Sequence, residues 1–451
     1  MENPFLQPYT TPHGTVPFDK IELVHYEPAI REGISQEDKE INDIISNPEK
    51  PTFKNTILAL EQSGKLLDQV TTVMFNLMSA ETCNELDEIA EKMMPLLSEH
   101  SNNISLNEKL FERVKQVYEE RKNLKLTPEE LRLLEKTYDG FVRNGANLSE
   151  EDKVTFRKRS TELSSLTLRF SQNHLKETNS YELLLDSEEQ LKGLPESIIE
   201  AAAHTAKEKG KNGWIITLQA PSYVPFMKYS ENRELRRKLY MAYNTQCIHD
   251  NEQNNEDVVK QLVNLRMQLA QLLGFKNYAD YALRKRMAEN SERVYQLLDQ
   301  LLEAYTPTAR EEVKEIEALA QRTEGKDFQL MPWDFSYYAE KLKNEKFNLD
   351  EEALRPYFEL SRVKEGVFGL ATRLYGVSFK ENKDIPVYHP DVQAYEVYDK
   401  DGSYLAVLYT DFHPRAGKRS GAWMTSYKEQ WIEAMQDICR KRKGTTMRCS
   451  V

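Results

Sequence analysis

Eight histidines are spread along the chain, at His13, His25, His100, His174, His204, His249, His389 and His413. A zinc hydrolase of the common helical type needs two of them at i and i+4. A Glu between them activates a metal-bound water. No two histidines stand four apart, so these 451 residues contain no HExxH. The nucleophile elbow Gly-x-Ser-x-Gly is absent too, since Ser420-Gly421 lacks the glycine two residues earlier. There is no Walker sequence and no Gly-x-Gly-x-x-Gly. The four cysteines, Cys83, Cys247, Cys439 and Cys449, form no CxxC pair, and a reduced chain without disulfides is expected. Carboxylate pairs are uninformative in a chain with 73 acids. Residue chemistry alone completes no catalytic apparatus.

The richest polar constellation is Asp-Phe-His-Pro-Arg-Ala-Gly-Lys-Arg-Ser-Gly-Ala-Trp, Asp411–Trp423. It follows the clearest hairpin signal. Val392 to Asp399 alternates toward an Asp-Lys-Asp-Gly turn, and Ser403 to Asp411 returns as an apolar run. His413, Arg415, Lys418 and Arg419 are therefore candidate cationic or hydrogen-bonding contacts, to a peptide or to an adjoining lobe. Two plainer readings stand beside this one. The block is a solvated loop after a strand, or its cations pair with acids for structure. Trp423 reads as packing.

The rest of the chain must position that block. At 451 residues it exceeds the ~250–300 at which one core usually divides, so two lobes are expected. Hydrophobic residues make up 39% and charged residues 30%, as in a helix-rich protein with a packed core. The net charge of −12 argues against nucleic acid and anionic membrane surfaces as partners. No apolar run approaches the ~18 residues of a membrane span. The N-terminus has no basic segment followed by an apolar one. A cytoplasmic monomer is expected.

Residues 1–30 read as an extended, proline-rich arm, with a helix opening at Tyr26-Glu27-Pro28. From Thr52 to about Glu120 the pattern is helical, with Ile57, Leu60, Gly64, Leu67, Val70 and Met74 on one face. Thr127-Pro128-Glu129-Glu130 is a capping box, and Ser149 opens a long helix. Gly213–Leu218 is a short strand that Ala220-Pro221 ends. Ser230 caps a basic helix, Arg233–Tyr243, whose arginines read as a solvated face. Helices continue from about Glu256 to Tyr375, with Pro307 bending or restarting one of them and Gly325–Pro332 a linker. The reading is mainly α, with a small antiparallel β region near residues 385–412.

Several segments resemble a known family. Asn3-Pro-Phe-Leu-Gln-Pro-Tyr-Thr-Thr-Pro-His-Gly-Thr-Val-Pro-Phe18 is similar to the N-terminal arm of peptidyl-dipeptidases of the M3 (thimet oligopeptidase-like) metallopeptidases. Ala220–Met227, Asn232–Arg236, Leu272–Ala279, Pro332-Trp-Asp334 with Tyr337–Lys341, and the Asp411–Trp423 block also resemble that family, in order. The resemblance covers about residues 3–433. It implies a multi-helix, two-lobed enzyme that binds zinc through HExxH and a Glu on a following helix, and that releases dipeptides from the C-termini of short peptides. No position here matches those zinc ligands, so no catalytic or metal-binding residue is assigned, and no bound zinc is expected in this chain. On this reading residues 31–220 form an N-terminal helical lobe and 221–433 the incomplete start of the peptidase domain.

From Ala434 the composition changes. The last 18 residues carry five of the 61 basic and one of the 73 acidic residues, and two of the four cysteines. Residues 434–451 therefore read as an out-of-family basic tail, the product of a truncation or frameshift. Arg440–Lys443 as a nucleic-acid patch is the weaker reading, given the acidic body. Inactivity of the chain by itself is expected. A non-catalytic peptide- or partner-binding helical module is the alternative.

Overall fold

The structure is a computed structural model. It describes residues 2–349 and 351–429, together with the backbone of 431–433, 441–443 and 445–450. The fold is mainly α, as expected. Of the tail, residues 434–440, 444 and 451 lie outside the described residues. Among the described residues no helix is long and apolar enough to cross a membrane.

Two compact units are present. One comprises Met1–Arg169, Leu262–Gly274 and Glu365–Val451, the other Phe170–Gln261 and Phe275–Lys364. Each is discontinuous in sequence, a partition distinct from the sequential segments 1–30, 31–220 and 221–433.

The first unit joins helices to a sheet. Its strands run Ser378–Glu381, Gln393–Tyr398, Tyr404–Asp411, Thr445–Ser450 and Trp423–Lys428 in spatial order. Neighbours are antiparallel except Tyr404–Asp411 with Thr445–Ser450, which are parallel. The sheet is thus wider than the 385–412 region read from the sequence, and not wholly antiparallel. The hairpin lies where the alternation put it, with Gly402 supplying the positive φ, +78°, that closes the turn.

The arm is shorter than the 1–30 read from the sequence, because the helix Tyr26–Ser46 begins inside that range. It is a strap with three short 3₁₀ turns, at Pro4–Leu6, Pro12–Gly14 and Leu23–His25. The strap lies on the sheet. His13 stacks on Tyr404 with ring centroids 4.0 Å apart, and its Nε2 lies 2.7 Å from Glu396 Oε1. Glu396 also accepts from Tyr398 Oη at 2.8 Å and Asn382 Nδ2 at 3.0 Å. These partners, His13 first, hold its carboxyl down to about 2. His13 adopts φ +57°, a left-handed conformation that costs a non-glycine residue on the order of 1 kcal/mol and that this network offsets. Phe18 meets Tyr388, Tyr409 and Tyr427 edge-on. Phe5, Val16 and Tyr26 then share one core with Val70, Met74, Met93, Val407 and Tyr409. Burying an aromatic or aliphatic side chain of this kind is worth about 1.5–3 kcal/mol each, so the strap holds by packing more than by its polar contacts.

Gly64 is not part of a continuous helical face. It sits at φ +67° and separates Ala59–Glu61 from the Lys65–Ala80 helix. Its N–H donates to Glu40 Oε2 at 2.7 Å, and the Glu37 carboxylate occupies the space a Cβ would fill. Only glycine fits there without strain. The capping box at Thr127 forms as the sequence indicates. Glu130 N donates to Thr127 Oγ1 at 3.2 Å, and Thr127 N to Glu130 Oε2 at 2.8 Å.

The second unit departs from the sequence reading in several places. Ala220-Pro221 does not merely end a strand but opens the helix Ala220–Tyr229, with proline in its first turn where no intrahelical N–H is needed. The basic helix Arg233–Asn244 is capped by Asn232, whose side chain accepts from Leu235 N, and not by Ser230. Arg233 and Arg236 do not belong to a solvated face, while Arg237 is exposed as expected. Arg236 is among the largest fully buried side chains, and it donates to Asp334 Oδ1 at 2.9 Å, to Ser230 O at 2.7 Å and to Trp333 O at 3.2 Å. Arg233 reaches the same carboxylate at 2.7 Å, and Met331 N donates to it at 3.1 Å. Burial alone would raise the Asp334 carboxyl; the two guanidiniums outweigh it and hold it below its ordinary value. The Arg236 guanidinium also lies 4.1 Å from the Tyr337 ring centroid. Pro332-Trp-Asp and Asn-Arg-Glu-Leu-Arg are thus two halves of one clamp. Residues 291–324 form a single helix through Pro307, and the 351–375 stretch is divided by a 3₁₀ turn at Arg355–Tyr357.

Removing the shared acid tests the clamp. Asp334→Ala leaves a buried guanidinium unpaired, and we expect a loss of about 3–5 kcal/mol, the range for a broken buried pair. Urea unfolding followed by circular dichroism measures it.

Candidate functional site: the loop after the hairpin

The strand Tyr404–Asp411 ends on a carboxylate with no solvent exposure. Such a group must be neutralised or protonated. Here it is neutralised. Arg415 grips it with both terminal nitrogens, Nη1 to Oδ1 and Nη2 to Oδ2, each at 2.8 Å. Tyr388 Oη donates to Oδ2 at 2.6 Å. Lys418 Nζ donates to Oδ1 at 3.0 Å, to the Asp411 carbonyl at 2.7 Å and to the His413 carbonyl at 3.1 Å. Burial pushes the Asp411 carboxyl up, but Arg415, Tyr388 and Lys418 together hold it well below the usual carboxylate range. The same pairing, against the opposing effect of burial, raises the Arg415 guanidinium. Lys418 Nζ also lies 6.0 Å from the Trp423 ring centroid, at the outer reach of a cation–π contact.

The loop is then fastened to the end of the Lys65–Ala80 helix. The last carbonyls of a helix have no partner of their own and carry the negative end of its dipole. Arg419 N donates to Ser79 O at 2.9 Å, and Arg415 Nη2 donates to Ala80 O. Arg415 Nε bonds Glu81. Thr82 N closes the contact on Gly417 O at 2.8 Å. A Cβ at position 417 would lie 2.6 Å from Thr82 O and 2.9 Å from Thr82 N, both backbone atoms, so glycine is required by close approach. On the next strand Thr425 Oγ1 donates to Asn76 Oδ1 at 2.8 Å, and Asn76 Nδ2 to Ser426 O at 3.3 Å.

The four residues singled out in the sequence therefore divide. Arg415 and Lys418 face inward and are ion-paired, Lys418 being buried. His413 and Arg419 are exposed on the same loop. Sequence reasoning left Asp411, Tyr388 and Glu81 unassigned. The i,i+4 spacing of Asp411 and Arg415 was a local signal for the first; nothing local points to Glu81, 334 residues away from Arg415. Among the described residues no three His, Cys, Asp or Glu side chains gather into a group that could hold a metal ion. These residues do not fit a zinc site.

A helix-rich chain with this loop set against a sheet matches a peptidase family. The profile of Peptidase family M3 matches residues 226–447, a range that takes in the Asp334 clamp, the loop and the first part of the tail. The chain belongs to peptidase family M3. It is 40% identical over 430 residues to dipeptidyl carboxypeptidase of Escherichia coli (strain K12), covering 95% of this chain and 63% of that protein. It is 33% identical over 428 residues to oligopeptidase A of the same organism, covering 94% and 62%. The chain thus spans a little under two thirds of the length of these relatives.

Two variants test the loop. The Asp411 carboxyl titrates lower in the folded state than its unfolded value of about 3.9, so its contribution is complete above about pH 4 and is lost as acid titrates the folded state. Asp411→Asn should lower stability near neutral pH and flatten its fall below about pH 4, read from urea midpoints across pH. Gly417→Ala should cost about 1–3 kcal/mol through overpacking against Thr82, measured the same way at neutral pH.

Proposed function

We propose that these 451 residues form the peptide-handling portion of an M3 peptidase of the dipeptidyl carboxypeptidase type, a zinc enzyme that releases dipeptides from the C-termini of oligopeptides. The carrying observation is the loop. It lies in the matched range, it is fixed from behind by Asp411 and the end of the Lys65–Ala80 helix, and it presents His413 and Arg419 outward. An exposed guanidinium and an exposed imidazole on one anchored loop suit an anionic or carbonyl group of a peptide. Arg415 and Lys418 take a different part, holding the loop's shape through the buried carboxylate. Residues 31–220 as a helical lobe and 221–433 as the start of the peptidase domain belong to this proposal, as do a cytoplasmic location and a monomeric state.

The same reading holds that the chain by itself hydrolyses no peptide, because no HExxH occurs in its sequence. Purified protein supplied with zinc and an N-blocked tripeptide should release no dipeptide above a metal-free control, followed by chromatography; release above it sinks this part. Binding is read separately. A labelled oligopeptide should titrate saturably, and Arg419→Ala should weaken it about tenfold, the lower end of what a hydrogen bond to a charged group contributes. Absence of saturable binding counts against the peptide-handling role.

A further inference from the structure

We propose that the N-terminal half of the Ser291–Glu324 helix is a docking face for the portion of an M3 peptidase that lies beyond the residues matched here. At 1.5 Å per residue this 34-residue helix is about 50 Å long. Its buried residues, Ile316, Leu319 and Ala320, all follow Pro307, and they pack with Tyr337 and Tyr338. The turns before Pro307 carry a second apolar stripe. Tyr295, Leu298, Leu302 and Tyr305 recur at steps of three and four, which places them on one face. They are 64%, 52%, 66% and 66% exposed. A solvated helix has no need of such a stripe, and two tyrosines within it are the residue type that interfaces favour.

The lengths of the relatives supply an occupant. The helix lies wholly inside the range matched by the family profile, and more than a third of each relative lies outside its match to this chain. In those relatives that further portion shares one chain with this helix. A second copy of this chain is the poorer occupant. Glu292, Asp299 and Glu303 fall along one edge of the stripe by helical position, so a self-complementary contact would bring like charges together. The occupant is instead an amphipathic surface with basic residues bordering its apolar strip. The proposal rests on the family assignment and on no particular peptide.

The probe is the portion of Escherichia coli dipeptidyl carboxypeptidase outside its match to this chain, produced as a separate polypeptide and titrated into the full 451-residue protein. Saturable one-to-one association in sedimentation, weakened at least tenfold by the pair Leu298→Asp and Leu302→Asp with an unchanged melting curve, supports the proposal. Overturning results are no association, association indifferent to these substitutions, or self-association of the unsubstituted chain that they abolish. Should the separate probe be insoluble, the same portion is fused after residue 451. Amide exchange over residues 291–306 must then slow relative to the chain alone, and unchanged exchange rejects the docking face. Peptide titration is independent of both readouts, so a failure here leaves the loop's role in peptide handling to its own test.

Discussion

A carboxylate cannot be buried in its charged form unless cations are fixed around it, and the Asp411 carboxylate fixes two. Arg415 and Lys418 are drawn back onto the end of the strand that precedes them, and this folds the loop. Once Arg415 is held, its remaining N–H donors, on Nε and Nη2, meet Glu81 and Ala80 O, so the loop also closes the end of the Lys65–Ala80 helix. That helix packs on the sheet through Val70, Val73 and Met74, beside Tyr409 of the same strand. Sheet, helix end and loop therefore share one electrostatic anchor.

The second unit reaches the same solution independently. Asp334 is fully buried between Arg233 and Arg236, and the clamp draws the start of one helix onto the start of another. Ion pairs of this kind contribute little net stability over a well-packed apolar replacement, since desolvation of both partners opposes their attraction. Their effect is on register. A bidentate guanidinium fits a carboxylate in few orientations, so each clamp specifies which segments meet and at what angle. The blocks that carry the family resemblance, Asn232–Arg236, Pro332–Asp334 and Asp411–Trp423, are in large part these clamps. Much of what these blocks contribute is therefore architecture.

Local signals in the sequence were reliable where the cause was local. The Thr127 capping box and the hairpin turn with Gly402 each involve residues within four positions of one another, and each is found where the pattern indicates. The mainly α fold was legible for the same reason. Errors arose where a residue's partner is distant. Gly64 matched a helical face by spacing, yet its conformation is set by Glu37 and Glu40 on another helix. Ser230 looked like a cap, but its carbonyl is taken by buried Arg236, and Asn232 does the capping. Arg233 and Arg236 read as solvated because Asp334 lies about a hundred residues further on. At the loop, the sequence could not tell which of His413, Arg415, Lys418 and Arg419 face inward. That distinction depends on Tyr388, Glu81 and the end of the Lys65–Ala80 helix, none of which is readable from the block itself.

The strap sets a further constraint on how the first unit forms. His13 meets Glu396 across 383 residues of sequence, and Arg415 meets Glu81 across 334. Neither contact rewards the chain until most of it has been made and its ends brought together, and loop closure must be offset first. The intervening second unit, by contrast, closes the Arg236–Asp334 contact across 98 residues. Its clamp can form on contacts of its own, while the strap's seat on the sheet waits on the distant stretches of chain. Aromatic packing decides whether they hold when they arrive. Phe18 enters a pocket of three tyrosines that the sheet alone would leave exposed, so the strap completes a core that neither the helices nor the strands can close without it. The loop that carries His413 and Arg419 leaves the same strand that bears Tyr409, and its rigidity is inherited from that core as much as from the Asp411 anchor.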